Sequence, residues 1–427
     1  MNDLIIGGSA AGVSAAEILR KFDQKSKITL ISDERFALYS RCLLTYLIAG
    51  SIGEEKLYFK DQDFYQKNNI QTYLGKRAQA IDSKAQKVVL QDDTKISYDR
   101  LLLATGAQAK LIDVGGVEKQ GVFTVRKIDD ARAIIAALDQ VKEIVVLGGG
   151  LIGLRDAYAL ALRKKKVTVL VKSAQVLSQM VDLQAAGIIA QRLAENGIKI
   201  MTGVAAKEIL GQGSVEGVLL DSGERISAQM VIIGKGVVPN SDLASFCGLE
   251  VKAGIVTDEF LRSSSENIFA AGDVAETVDI ARGDTRINAL WPCAVEQGQI
   301  AALNMLGRKV AYAGSLSMNS VDFFGLGCIS IGITKPKEKD YEILTKRQDE
   351  RYKKFVLKNN RIVGLVLVGD IQAAGIVNPL IRNKVDISSI KDLLLEDNFN
   401  YAKILPLVVK YQDCFRKPEY QDTIISF

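Results

Sequence analysis

The chain has 427 residues, 48% of them hydrophobic and 25% charged, with a formal net charge of +5. That length exceeds what one core usually holds, and so small a charge, spread along the chain, forms no basic face or arm for nucleic acid. There is no histidine, which excludes Ser-His-Asp and Cys-His catalysis and removes the commonest metal ligand, and no apolar run approaches the roughly 18–20 residues that span a bilayer.

The chain enters a strand at once, at Leu4-Ile5-Ile6, which leaves no room for a signal peptide. The segment "NDLIIGGSAAGVSAAEILRKF" then reads as strand, glycine turn and helix. Gly7, Gly8, Ser9 and Gly12 nearly satisfy the dinucleotide fingerprint G-x-G-x-x-G, with Ser9 in place of the middle glycine. Gly7 allows the turn, Gly12 lets helix and strand pack closely, and the small residues between let backbone N–H groups approach a pyrophosphate. The next strand, "KITLIS", leads to Asp33 and Glu34, where an acid is expected to meet a ribose hydroxyl. "YSRCLLTYLIAG" follows, with Cys42 at the start of a short helix beside Arg41.

The fingerprint recurs in full at Gly148, Gly150 and Gly153, between the strand Ile144–Leu147 and a helix. One such motif is weak evidence; two in strand–turn–helix–strand context imply two nucleotide sites. The run Arg163-Lys164-Lys165-Lys166 reads as a solvated helix end. In the second unit the ribose-binding acid is missing: Val171, Lys172 and Ser173 stand there. Lys172 would receive the 2′-phosphate of NADPH, or else it is merely exposed while Val171 packs. Near the end, "YKKFVLKNNRIVGLVLVGD" reads as two strands joined by the turn pair Asn359-Asn360, followed by a helix over Ala373 to Arg382. The five cysteines, at 42, 247, 293, 328 and 414, show no C-x-x-C spacing. No metal site is therefore expected, and a reducing cytoplasm is the expected compartment.

Between and after the fingerprints lie "LLLATGAQAK" and "NIFAAGDVAE". With the two glycine turns, these make the whole chain resemble the FAD-dependent pyridine nucleotide–disulfide oxidoreductase family. Within it, the resemblance is to the NADH oxidase, coenzyme A disulfide reductase, rubredoxin reductase and nitrite reductase flavin-module branch. "YSRCLL" also looks like flavoproteins that accompany carbon monoxide dehydrogenase. The resemblance implies an α/β fold: two Rossmann-like dinucleotide-binding domains, for FAD (1–110 and 238–315) and NAD(P) (111–237), and a C-terminal α+β dimerisation-type domain (316–427). It implies FAD held by Gly7, Ser9, Ala10, Ala11, Gly12, Asp33, Glu34, Arg41, Ala78, Ala104, Thr105, Gly106 and Arg126, with Asp273 beside Gly272 on the ribityl chain. Trp291, Pro292, Cys293 and Ala294 would begin a helix aimed at the flavin pyrimidine, where a helix N-terminus stabilises negative charge. NADH or NADPH would lie on Gly148, Gly150, Ile152 and Gly153, with Lys172 and Gly234 nearby. Arg155 stands where many relatives carry an acid near the nicotinamide.

Cys42 matches the position of the flavin-facing cysteine of coenzyme A disulfide reductases, although its flanks look more like a branch that carries proline there. A helix N-terminus and Arg41 would lower its thiol from about 8.5; the bland alternative is a space-filling side chain. Cys293 is expected near the flavin but structural. Tyrosines of a partner's C-terminal domain serve coenzyme A-type relatives, and Tyr401, Tyr411 and Tyr420 are available here.

The expected activity is hydride transfer from NAD(P)H to flavin, with electrons leaving to rubredoxin, ferredoxin or oxygen; Lys335, Lys337 and Lys339 are available to meet an acidic carrier. One alternative is a single-cysteine coenzyme A disulfide reductase or NADH peroxidase–oxidase that uses Cys42. Another is a non-catalytic flavin-loaded assembly or sensing subunit. A homodimer with no membrane or nucleic-acid partner is expected.

Overall fold

A computed structural model describes residues 1–36 and 38–415. The chain begins with β1 (Asn2–Ile6), α1 (Ala10–Phe22), β2 (Lys27–Ser32) and the short helix α2 (Leu44–Ala49), then β3 (Ile70–Leu74), β4 (Arg100–Leu103) and β5 (Ala107–Ala109). A second unit follows: β6 (Val122–Phe123), α3 (Ile128–Ala137), β7 (Glu143–Leu147), α4 (Leu151–Leu162), β8 (Lys166–Val171), α5 (Leu183–Glu195), β9 (Ile198–Thr202) and β10 (Met230–Ile233). The return passes through β11 (Val237–Pro239), β12 (Ile268–Ala270) and α6 (Trp291–Met305). The C-terminal part contains β13 (Met318–Phe323), β14 (Leu326–Gly332), β15 (Glu342–Gln348), β16 (Arg351–Lys358), β17 (Arg361–Val368), α7 (Ala374–Arg382) and α8 (Tyr401–Lys410).

The first sheet is parallel, in the order β12-β4-β1-β2-β3, and the second is parallel in the order β9-β8-β7-β10-β6. Their central strands are continuous apolar runs with both faces covered, such as Leu4 to Ile6 and Ile144 to Leu147, all buried. The third sheet is antiparallel, β13-β14-β17-β16-β15, and α7 packs on it. The fold is therefore α/β with two Rossmann-type units and a C-terminal α+β part. Asn359 and Asn360 form the β16–β17 turn at φ 51° and 56°. The chain crosses between the first two units twice, and the crossings pair as an antiparallel ribbon, Ala107 with Pro239 and Ala109 with Val237.

Polar contacts fasten the second unit to its neighbours. Asp182 caps α5 through one carboxylate oxygen, and its other oxygen accepts from the Tyr352 hydroxyl at 2.7 Å and Lys354 Nζ at 2.8 Å on β16. The basic run after α4 is not simply solvated as expected. Arg163 donates to the Ile48 carbonyl of α2 at 2.8 Å, and Lys165 Nζ to the carbonyls of Leu138 and Val141. Long basic side chains reach such helix-end carbonyls readily, and their aliphatic stems tolerate burial. Among the described residues, no helix is long and apolar enough to cross a membrane.

Glycine positions in this scaffold divide sharply. A Cβ on Gly12 would lie 1.9 Å from the Gly7 carbonyl oxygen, whereas one on Gly187, exposed within α5, meets nothing within 4 Å. Gly12→Ala is expected to destabilise the protein by about 1–3 kcal/mol or more. Gly187→Ala is expected to stabilise it by roughly 0.5–1 kcal/mol through helix propensity. Thermal unfolding midpoints of the two variants should move in opposite directions.

Candidate functional site

The first glycine turn opens on a cavity of about 900 Å3. Gly7, Ser9, Ala10 and Ala11 form one end of its wall. Ser9 is the N-cap of α1 but its side chain caps nothing, and the first turn of α1 holds no acid. Its orphan N–H groups and positive helix end are left for an anion. Gly7 has φ 124°, and a Cβ there would lie 1.9 Å from the Ala104 carbonyl oxygen. Gly12 presses on Gly7 instead of reaching the cavity, so it shapes the turn without lining it.

Asp33 and Glu34 both line the cavity at the end of β2, but their surroundings differ. Glu34 spends one oxygen on Arg41 and the other on the Tyr39 hydroxyl. Burial, opposed by Arg41 and aided by Glu34, raises the Tyr39 phenol above its ordinary value, so it stays a neutral donor. Asp33 is exposed and pairs with Lys127 at 2.9 Å. Asp33 is therefore the acid more open to a ribose.

Arg126 is the hub of the cavity floor. Its Nε donates to the Ala107 carbonyl, a terminal nitrogen pairs with Asp273 at 2.8 Å, and its own carbonyl accepts from Arg41 at 2.8 Å. Thr105 and Asn240 exchange two hydrogen bonds across the chain crossings, at 2.8 and 2.9 Å. Ala78, Ala104, Gly106 and Gly272 complete this wall. A Cβ on Gly272 would approach that of Ala11 to 3.1 Å.

At the N-terminus of α6, Trp291 and Ala294 line the cavity, and Phe59 meets the indole edge-to-face at 5.1 Å. The expected neighbours Pro292 and Cys293 do not: Pro292 is exposed in the first turn and Cys293 is buried away from the cavity. Helical geometry explains this, because positions three apart share a face and those between turn away.

Cys42 also lines the cavity, in a 3-10 turn (Arg41–Leu43) that leads into α2. Its carbonyl accepts from Arg155 of α4 at 2.9 Å, and the same guanidinium nitrogen donates to the Thr45 hydroxyl at 3.0 Å. The expected lowering of the thiol by Arg41 is not found. Cys42 is exposed within the open cavity, yet desolvation by the surrounding walls raises its thiol above the ordinary value, opposed by Arg155 and a hydrogen bond from Ser40, while Arg41 is turned to Glu34. At neutral pH the sulfur is therefore a thiol. Cys247 is half-buried and Cys328 buried. Tyr401 is exposed, Tyr411 is half-buried, and Tyr420 lies outside the described residues.

The second turn is built likewise. Gly148 has φ 131°, and Cβ atoms on Gly148 and Gly153 would meet the carbonyl oxygens of Gly234 and Gly148 at 2.3 and 2.0 Å. Gly150 occupies the N-cap position of α4 without a side chain to cap it, faces open space and is followed by a first turn without acids. Ile152 is half-buried in that turn. Val171 is 3% exposed and packs beneath Gly149, while Lys172 is exposed. One turn along α4, Asp156 is buried with neither carboxyl oxygen hydrogen-bonded, and burial holds its pKa well above the carboxylate range. Sequence reasoning missed the reach of Arg155 and the pairing of Tyr39 with Glu34, neither of which has a local signal.

These features fit FAD in the cavity and a second dinucleotide at α4: two uncapped helix ends behind glycine turns, and walls of small residues. Among the described residues, no group of three or more His, Cys, Asp or Glu could hold a metal ion.

Residues 1–298 match the family model described as pyridine nucleotide-disulphide oxidoreductase, and residues 318–385 that of the rubredoxin NAD+ reductase C-terminal domain. The chain is 31% identical over 388 residues to "Nitrite reductase [NAD(P)H]" of Bacillus subtilis, a match covering 90% of this chain and 48% of that one. It thus spans about half the length of that relative. It is 34% identical over 307 residues to the rubredoxin-NAD(+) reductase of Pseudomonas putida, covering 71% of this chain and 80% of that one. The solved covalent putidaredoxin reductase–putidaredoxin complex superposes with a TM-score of 0.87 at 28% identity, covering 95% of this chain and 98% of that one. The chain belongs to the pyridine nucleotide–disulphide oxidoreductase family and is an FAD-dependent NAD(P)H oxidoreductase.

Proposed function

We propose that this enzyme takes electrons from NAD(P)H and delivers them to a small iron–sulfur carrier of the rubredoxin or ferredoxin kind. The observation that carries this reading is the reach of Arg155. It brings α4, whose N-terminus suits a dinucleotide, against the backbone of Cys42, which lines the flavin cavity. Residues 1–110 with 238–315 would be the FAD domain, 111–237 the NAD(P) domain and 316–427 the interface domain.

When bound, FAD supplies a group that accepts two electrons at once and releases them singly. The chain's own residues place it. The α1 N-terminus and Gly7 to Ala11 would hold its pyrophosphate, Asp33 a ribose, and the Arg126–Asp273 pair the chain between ribose and ring. Trp291 and Ala294, which line the cavity, would help to exclude water from the ring, and the α6 N-terminus would favour an anionic ring. The match of residues 318–385 to a rubredoxin reductase domain supports a protein carrier as acceptor. Lys337 and Lys339 are exposed and free to meet an acidic partner, while Lys335 donates to the Ser178 carbonyl at 2.9 Å. Tyr401, Leu405 and Val409 form an exposed apolar stripe on α8, which supports a homodimer through this region. The compartment we propose is the cytoplasm.

Cys42 favours a second reading, because a thiol on the cavity wall suits disulfide, persulfide or peroxide turnover. Anaerobic NAD(P)H should bleach the flavin band; a band that persists would leave a non-catalytic flavin subunit. Cys42→Ser should then leave rubredoxin or ferredoxin reduction within about twofold of the parent, whereas loss of disulfide or peroxide turnover would favour the second reading.

Two further outcomes follow from the cavity wall. Arg126→Ala leaves Asp273 without its partner and should weaken FAD retention roughly tenfold or more, read as flavin fluorescence released on dilution. Alkylation of Cys42 in the flavin-free protein should stay slow at pH 7 and rise only above the ordinary cysteine range of about 8.5, because the thiol is raised. Mass spectrometry of the labelled peptide across pH measures this.

A further inference from the structure

The dinucleotide site at α4 has an electrostatic peculiarity. In the usual arrangement a carboxylate at the end of the second strand accepts from the ribose 2′-hydroxyl and repels a phosphate there. Here that strand is β8, and it ends in Val171. The Val171 side chain is turned inward: a Cβ on Gly149 would lie 2.6 Å from one of its methyl carbons. It offers no acceptor and no negative charge. Ser173, two residues on, donates its hydroxyl to the Gln175 carbonyl at 2.8 Å.

Two cations take the place of the missing acid. Lys172 leaves the end of β8 and is exposed. Lys235 leaves the end of β10, on the far side of β7, and its stem runs over the glycine turn: a Cβ on Gly148 would lie 3.5 Å from Lys235 Cδ. The two ammonium groups are close enough to repel, and no carboxylate acts on Lys235. Neither lysine forms an ion pair with an acid among the described residues. Burial and Lys172 together lower the pKa of Lys235. A half-buried cation that feels a second one and has no counter-ion is unfavourable until an anion arrives.

We propose that this site selects a dinucleotide bearing a 2′-phosphate, NADPH over NADH, with Lys172 and Lys235 as the cations that bind it. The proposal rests on the reading of the α4 turn as the NAD(P)H site. The pyrophosphate common to both dinucleotides goes to the α4 N-terminus, where Gly150 is open and uncapped. The additional phosphate falls beside the end of β8, where Lys172 meets it directly. Lys235, reaching over the turn from the other side, supplies the second positive charge. Charge-assisted hydrogen bonds of this kind are roughly twice as strong as neutral ones, and the discrimination should weaken as salt rises.

Isothermal titration calorimetry of the oxidised FAD-loaded enzyme with NADP+ and with NAD+ tests this without turnover. NADP+ should bind at least about tenfold more tightly. Lys172→Ala and Lys235→Ala should each cut the NADP+ to NAD+ affinity ratio several-fold, with Lys172→Arg retaining it and Lys172→Glu reversing it. Because Lys172 is exposed, its variants should keep the parent's unfolding temperature, which separates lost selectivity from lost folding. Equal affinities for the two dinucleotides, or a ratio unmoved by Lys172→Glu, would overturn the proposal while leaving the nucleotide site intact. Failure of both dinucleotides to bind an enzyme that retains FAD would instead overturn the site assignment, and this proposal with it.

Discussion

Two backbone contacts hold the rest of the structure in place: the Gly7 carbonyl against Gly12, and the Gly148 carbonyl against Gly153. In each, a helix lies so close to the preceding turn that a single methyl group would push it away. That closeness aims the first N–H groups of α1 and α4 outward, where an anion can meet them. The parallel sheets, with buried apolar strands on either side of each turn, supply the rigidity that keeps these contacts close. The positions of the cofactor wall, from Asp33 to Asp273, are set relative to those two turns.

Beyond the ribbon of the two crossings and the apolar core that α2 shares with α4, arginines tie the two nucleotide units together. Arg126 leaves the segment before α3 and ties Ala107 to Asp273, while Arg41 reaches its carbonyl from the opposite wall. Arg155 on α4 and Arg163 just past its end hold carbonyls of the Cys42–Ile48 segment. Guanidinium suits this work because its planar fork serves several acceptors at once and keeps its charge. The third part is fastened by a different device, the Asp182 carboxylate shared between a helix cap and the side chains of Tyr352 and Lys354.

Much of this was legible in the residues. Continuous apolar strands, glycine spacing and the Asn359-Asn360 turn are local signals, and the architecture follows from them. The cavity wall was legible where it is built from backbone and small residues. It was not where long polar side chains choose between partners. Arg41, adjacent to Cys42 in the chain, turns to Glu34, and Arg155, more than a hundred residues away, takes the neighbouring place. Glu34 and Asp33 look equivalent in the sequence, yet only one is already engaged on both oxygens. The sorting of Trp291 and Ala294 from Pro292 and Cys293 was available from helical periodicity. The effect of burial on the Cys42 thiol was not, because desolvation depends on walls contributed by distant segments.

The Asp156 carboxyl carries a consequence for how the protein is assembled. A side chain that is ionised in the unfolded chain from about pH 4 upward enters the folded one holding its hydrogen. Folding therefore takes up one proton across the interval between the two values. Throughout it, each unit of alkalinity subtracts about 1.4 kcal/mol from the folding free energy. The helix that carries the second phosphate turn is in this sense acid-favoured, and rising pH loosens the protein from within α4 while its surface ion pairs remain intact.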